Sequence, residues 1–269
     1  MRAIDHQGVF ILVEGSNDET ILKFVLDIAP ASFMMAFGFA NVVAAINILD
    51  ADAFTRALGV IDRDYHGIVL PMPVSANIVL TDDRDLEVHI FNSSAFDRVF
   101  TQFASNTKLS KEVNGISDVR NKIYLAAMPM AKVRFMCAKL GGAYKFSDLQ
   151  LGKFTEKRTL AVDAEKFISH LRGQHEKNGQ LDISVLATAD AHLGQFDPKL
   201  PRERICRGHD LFSFAAFGLR VLWGNFSGSQ MTAEHLEGIT VVACSKDELR
   251  QCGFCSRVIN WCGQHGLAA

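Results

Sequence analysis

The chain has 269 residues, 48% of them apolar and 22% charged. This length and composition suit one large globular core or two small ones, and they exclude a disordered chain, a coiled coil and a collagen-like fibre. The formal net charge is only −2, from 28 basic and 30 acidic residues, and it hides a segregation along the chain.

Residues 8–13 (GVFILV) form a short apolar run that ends at Glu14-Gly15 and reads as a buried strand. Ser16-Asn17-Asp18-Glu19 then offers a helix cap and an acidic first turn, and Ile21, Leu22, Val25 and Leu26 follow at helical spacing. A second strand is predicted over 31–37 and a second helix over 41–49. Residues 58–61 give a third strand, ending at Asp62-Arg63-Asp64. Residues 77–80 give a fourth, ending at Thr81-Asp82-Asp83, and 86–91 open the next helix. Strands and helices alternating at this spacing imply an α/β domain over residues 1–95, built on a parallel sheet with flanking helices.

Residues 96–269 read as a mostly helical C-terminal region. It comprises a basic stretch at 101–160 broken at Gly141-Gly142, a polar connector at 176–208 with Pro198 and Pro201, and C-terminal helices over 209–265. Arg207-Gly208-His209-Asp210 leads into an apolar run whose Phe212, Phe214 and Phe217 suit a core or an oligomer interface. His209 and Asp210 suit a hydrogen-bonded pair that orients this helix.

The charges are segregated along the chain. Residues 1–100 hold six Lys/Arg against fourteen Asp/Glu, and residues 101–160 hold eleven against four. A metal-dependent enzyme acting on a polyanion needs such a division, because carboxylates hold the cation and basic side chains receive phosphates. A mosaic of solvated helix faces has the same look. The longest uncharged stretch, 28–49, is interrupted by Pro30, Gly38, Asn41 and Asn47 and does not read as a membrane span. The first residues lack the basic start and apolar run of a secretory signal, so the expectation is a soluble, cytoplasmic protein. The six cysteines (137, 206, 244, 252, 255 and 262) are expected as free thiols. Cys252-x-x-Cys255 lacks the second pair a zinc site needs, and 252, 255 and 262 share a helical face.

Three predicted strands end in acids: Glu14, then Asp62 and Asp64, then Asp82 and Asp83. In a parallel sheet these ends share the edge where ligands bind. Neighbouring strands lie about 4.8 Å apart, close enough for such carboxylates to converge. Asp62 and Asp64, two residues apart on an extended segment, would point the same way. An oxygen-only cluster of this kind suits Mg²⁺ or Mn²⁺, and without a cation it would repel itself. Arg63, between the two, is expected to pair with Asp85 or to reach a phosphate. His66 and His89 read as surface or packing histidines.

Val13-Glu14-Gly15-x-x-Asp18 followed by Gly59-Val60-Ile61-Asp62-Arg63-Asp64 resembles the Toprim fold, shared by topoisomerases, primases and OLD-type nucleases. Thr81-Asp82-Asp83-Arg84-Asp85-Leu86-Glu87, and Gly208-His209-Asp210 before an apolar helix, resemble a Toprim subfamily of bacterial anti-phage systems. Its best-known member is the effector subunit of PARIS systems, which works beside an ABC-type ATPase. The resemblance implies a metal-dependent nuclease with Glu14, Asp62 and Asp64 as catalytic residues. It implies that these three, with Asp83 and Glu87, hold one or two metal ions, and that RNA (tRNA by analogy) or DNA is the substrate. Asp18 matches an acid of the family pattern and equally suits a helix cap. Lys153, Lys157 and Arg158 are the candidate phosphate contacts from the basic stretch, and a homodimer is expected because many such nucleases pair.

Two other readings compete. A phosphatase of the haloacid dehalogenase type also uses D-x-D after a strand, but here Tyr65-His66 follow Asp64 and Glu14 would have no role. A non-catalytic subunit that docks an ATPase would use the fold without the chemistry. A topoisomerase is disfavoured by the short chain and its three tyrosines.

Overall fold

In the computed structural model, residues 8–26, 32–142, 144, 146, 149–174, 181–227 and 230–266 are described. Four strands form one all-parallel sheet: β1 (Phe10–Val13), β2 (Ser32–Met35), β3 (Ala57–Ile61) and β4 (Ile78–Leu80), in spatial order β2-β1-β3-β4. The register sets Val13 beside Val60 and Val60 beside Val79. The segments after β1, β3 and β4 therefore leave the sheet along one carboxyl edge.

Helix α1 (Ser16–Leu26) buries Ile21, Leu22, Val25 and Leu26, the residues spaced for it in the sequence. Ser16 is its first residue rather than its cap; the Asp18 carboxylate accepts the Gly15 N–H at 3.0 Å, tying the turn off from inside the helix. Helix α2 (Phe39–Ala51) covers one sheet face through Val42 and Ile46, packed with Leu12, Ala57 and Ile61. Of the predicted second strand, Ala31 lies outside the described residues.

Beyond the sheet come α3 (Leu86–Asn92), α4 (Ser94–Phe103), the single turn α5 (Asn106–Leu109) and the long α6 (Ile116–Leu140). Gly141, at φ 70°, stops α6 in the left-handed conformation that glycine takes without strain, at the expected break. The sequence then forms a 3₁₀ turn (Leu151–Lys153), α7 (Ala164–Gly173), α8 (Ser184–Phe196), a second 3₁₀ turn (Arg202–Arg204) and α9 (Gly208–Val221). Helices α10 (Ala233–Ala243), α11 (Lys246–Arg250) and α12 (Gly253–Gln264) close the described chain.

The α/β class with a helical C-terminal region matches the sequence expectation. Two organisational expectations change. The boundary at 95/96 falls inside α4, and one hydrophobic core runs unbroken from Val9 through Phe91 and Phe212 to Cys262, so sheet and C-terminal helices share an interior. The connector at 176–208, whose residues 176–180 lie outside the described set, contains the thirteen-residue helix α8. Its apolar Val185, Leu186, Ala189 and Leu193 pack against the core despite the polar composition around them.

Phe212 and Phe214 are fully buried and Phe217 nearly so, which settles the aromatic run of α9 as core. All six cysteines are free. Among the described residues no helix is long and apolar enough to cross a membrane.

Candidate functional site

Glu14 leaves the end of β1 and turns its carboxylate toward β3. There it accepts the backbone N–H of Asp62 at 2.8 Å, and it receives a further bond from the N–H of Phe39 at the start of α2. Burial, reinforced by the charges of Asp64 and Asp18, nonetheless lifts its pKa to about 7. Desolvation outweighs two hydrogen bonds that stabilise the charged form.

Asp62 follows β3 and accepts the N–H of Leu86 at 3.3 Å, at the start of α3. Its pKa stands well above the usual carboxylate range, first through burial and then through the charges of Asp85, Glu87, Asp18 and Glu14. Glu87, one residue into α3, is raised by burial, by Asp85, by Glu237 and by Asp18. Asp18 is raised by burial as well. Glu14, Asp18, Asp62 and Glu87 thus form one self-repelling group at the carboxyl edge, assembled from β1, α1, β3 and α3.

Two expected members stand apart. Asp64 has φ 42° and opens a turn, and the two aspartates make separate contacts, Asp62 with the Leu86 N–H and Asp64 with Arg84. The Asp64 carboxylate faces the guanidinium of Arg84 at 3.4 Å and acts on Glu14 only through its charge. Asp83, raised to about 6 by burial and by Glu203 and Asp82, sits beside Glu203 and Arg204 rather than with Glu14. The loop after β4 distributes its charges because each side chain has a different local demand. Asp82 accepts the N–H of Phe254 at 2.8 Å and pairs with Arg257 at 2.9 Å, so it caps α12. Asp85 caps α3 through the N–H of Val88 and also accepts the N–H of Gly208.

Arg84 is buried, donates to the Tyr65 hydroxyl and the Ile205 carbonyl, both at 2.9 Å, and lies over the Tyr65 ring. Asp64, Asp85 and Tyr65 raise its pKa beyond the ordinary arginine range, so it is a fixed cation beneath the acidic edge. The expected Arg63–Asp85 pair does not form: Arg63 donates to the Asp82 carbonyl at 3.1 Å, and Arg84 is the cation nearest Asp85 in effect. His66 packs on Phe39 with ring centroids 4.5 Å apart, the bland role expected of it.

Helices distant in sequence complete the surroundings. Gly208 lies so close to α3 that a Cβ there would sit 2.4 Å from the Glu87 Cβ. His209 approaches Glu237 of α10 at 3.4 Å, and Glu237 accepts the side-chain amide of Asn17 at 3.2 Å. Asp210 turns the other way into a two-pronged pair with Arg134 at 2.8 and 3.0 Å, so the expected His209–Asp210 pair is replaced by two separate ones. Glu237 carries no signature in the sequence; His209 and Arg84 lie within the quoted motifs, but only packing reveals their partners. Lys153, Lys157 and Arg158 are exposed on the segment around the first 3₁₀ turn, and none is a principal charge acting on Glu14, Asp62, Asp83 or Glu87.

Among the described residues no three His, Cys, Asp or Glu side chains stand together in an arrangement that could hold a metal ion. The donors nevertheless fit a hard divalent cation in kind: all are carboxylates, raised first by burial and then by one another's charge, and a cation would relieve the second of these. Comparison with protein-family models and with curated proteins finds no match to this chain.

Proposed function

We propose that this chain is a divalent-metal-dependent phosphodiesterase that cuts nucleic acid at the carboxyl edge of its sheet. The observation that carries the reading is the four-carboxylate group itself. Glu14 and Asp62 are locked to one another by a backbone hydrogen bond, and Asp18 and Glu87 bring further charge onto them. A fold retains this much like-charge repulsion at one sheet edge where function requires it.

Glu14 and Asp62, joined by the backbone hydrogen bond, are the pair that would hold Mg²⁺ or Mn²⁺, with Glu87 adding charge onto Asp62. When bound, the ion supplies charge stabilisation to the attacking and leaving oxygens of the scissile phosphate. Asp64, outside the repelling group, is held by Arg84 and would add only its charge to such a site. Glu14, hydrogen-bonded yet readily protonated, is placed to hold the proton of an attacking water. Arg84 sets a buried positive charge against Asp64 and Asp85 next to this group.

In this reading the protein serves as a toxic effector of bacterial anti-phage defence, cleaving RNA such as tRNA, or DNA, as a homodimer beside an ABC-type ATPase. The test is cleavage of labelled tRNA and DNA by purified protein with Mg²⁺ or Mn²⁺. Glu14→Gln and Asp62→Asn should abolish cleavage and cellular toxicity while keeping the fold. Full activity in both variants would refute the site.

A second reading, a non-catalytic module that docks an ATPase, is favoured by the absence of a converged metal-binding trio among the described residues. It predicts no cleavage with any metal and co-purification with the ATPase. The D-x-D phosphatase loses ground, because Asp64 is taken up by Arg84 while Asp62 accepts the Leu86 N–H, whereas such an enzyme uses the two aspartates together.

A further inference from the structure

The first turn of α9 packs on the first turn of α3. The Gly208 N–H donates to the Asp85 carboxylate at 3.1 Å, and a Cβ at Gly208 would sit 2.6 Å from the Val88 N. His209 is the next residue, so it enters at the border of the carboxylate group. Its Nδ1 lies 3.4 Å from Oε2 of Glu237, and Oε1 of Glu237 accepts the Asn17 side-chain amide at 3.2 Å. Asn17 directly precedes Asp18. Glu237 therefore ties α10 to the start of α1 and to the start of α9, and its charge reaches Glu87.

The two members of this pair differ in exposure. The Glu237 side chain is 9% exposed and the His209 side chain 41%. A buried carboxylate thus holds one ring nitrogen, while among the described residues Nε2 of His209 has no partner. The imidazole also lines an open cavity of about 640 Å³, which leaves room for a ligand beside it. The bond to Glu237 raises the His209 pKa against burial; Arg207 opposes it, Asp210 supports it, and Glu234 is a further charge within reach. Arg84, the buried cation of the edge, is committed to Tyr65 and Ile205 and cannot release a proton. His209 can.

We propose that His209 is a catalytic residue of the carboxylate edge, giving its Nε2 proton to the oxygen that leaves phosphorus, with Glu237 as the positioning residue that orients the ring. The proposal rests on the phosphodiesterase reading and deepens it by naming the proton donor. A water oxygen forms the new bond to phosphorus and its proton passes to Glu14. The bond from phosphorus to the leaving oxygen breaks, that oxygen keeps the electron pair, and the His209 proton converts it to an alcohol. Exchange with solvent removes the proton from Glu14 and returns one to His209. A sugar hydroxyl leaves poorly without such a donor.

The test compares two substrates, with the full chain and Mn²⁺. One is a labelled RNA or DNA oligonucleotide, whichever the parent cuts, whose leaving group is a sugar oxygen. The other is bis(4-nitrophenyl) phosphate, whose nitrophenolate leaves without a proton. His209→Ala and His209→Gln should lower kcat on the oligonucleotide about 100-fold and leave hydrolysis of the aryl ester within about threefold of the parent. The glutamine keeps an N–H donor toward Glu237, so a ring that only fastened α9 to α10 would be replaced by it without loss. Added imidazole should restore part of the His209→Ala rate on the oligonucleotide. In metal-free protein, the His209 ring resonances should titrate closer to the ordinary histidine pKa in Glu237→Gln than in the parent. An equal fall on both substrates, no fall on either, or an unchanged titration in Glu237→Gln overturns the assignment, while the parent's cleavage keeps the nuclease reading. Where the parent ignores the aryl ester, failure of imidazole rescue overturns it. A parent that hydrolyses neither substrate under Mg²⁺ or Mn²⁺ removes the nuclease reading, and the proton donor with it.

Discussion

The Glu14 carboxylate accepts the backbone N–H of Asp62 at 2.8 Å, bridging the ends of β1 and β3 across 48 residues of sequence. The bond fixes the distance between two acids that repel, and it does so with a backbone group whose position the sheet already determines. The edge is thereby built to hold charge close together, and its cost is visible in the raised pKa values around it.

Glu14→Gln should keep the shape of the bridge, since the amide oxygen still accepts the Asp62 N–H, while removing one charge. Without metal its melting temperature at pH 8 should exceed that of the parent. Cleavage should fall by at least about 100-fold, the scale of damage at metal-ligand shells. A melting temperature below the parent's under these conditions would contradict the repulsion.

The pH dependence has a definite sign. Glu14, Asp18, Asp62 and Glu87 all have folded pKa values above their unfolded ones, so the folded state binds more protons as pH climbs past the ordinary carboxylate range. Their contribution to stability is complete below about pH 4 and is lost as pH rises through the folded values, near 7 for Glu14. Asp85 shares this direction. His209, raised by its bond to Glu237, also loses its contribution as pH rises through its folded value. Metal-free protein should therefore lose stability between about pH 5 and 8 in thermal melts, and millimolar Mg²⁺ or Mn²⁺ should restore it most at the alkaline end. A metal effect independent of pH would argue against cation binding by these acids.

Asp82→Ala addresses the acid that the sequence cannot distinguish from its neighbours. It removes the cap on α12 and the pair with Arg257. A loss of about 1 kcal/mol is expected, read as a drop of a few degrees in melting temperature. Cleavage at a permissive temperature should be unchanged, in contrast to Asp62→Asn.

Gly208→Ala forces a methyl group to within 2.4 Å of the Glu87 Cβ and 2.6 Å of the Val88 N. Both are part of α3, so α9 must move away from the edge. Destabilisation of about 1–3 kcal/mol is expected in chemical denaturation. Any soluble protein should also show weakened metal stabilisation, because the Gly208–Asp85 contact that positions α3 is displaced.

The strands were legible because a buried parallel strand has to be a short apolar run, and 58–61 and 78–80 are of that kind. The acids that follow them were legible for the same reason: the chain turns polar where the sheet ends. The direction of each acid was not. Asp62 joins Glu14, Asp64 meets Arg84, Asp82 caps α12 and Asp83 lies by Glu203, although all four are alike in a sequence row. The left-handed conformation at Asp64 and the capping needs of α3 and α12 made that division, and α12 lies far along the chain.

The sequence by itself determined the layer order, the helix α1 face and the carboxyl edge on which the acids fall, since those follow from local periodicity and the alternation of strand and helix. Tertiary structure alone decided which acids face one another, that Arg84 is buried beneath them, and that His209 meets Glu237. The physical reason is range. Hydrophobic periodicity is set by neighbours within a turn or a strand, whereas charge meets charge only where packing of the whole core brings distant helices together.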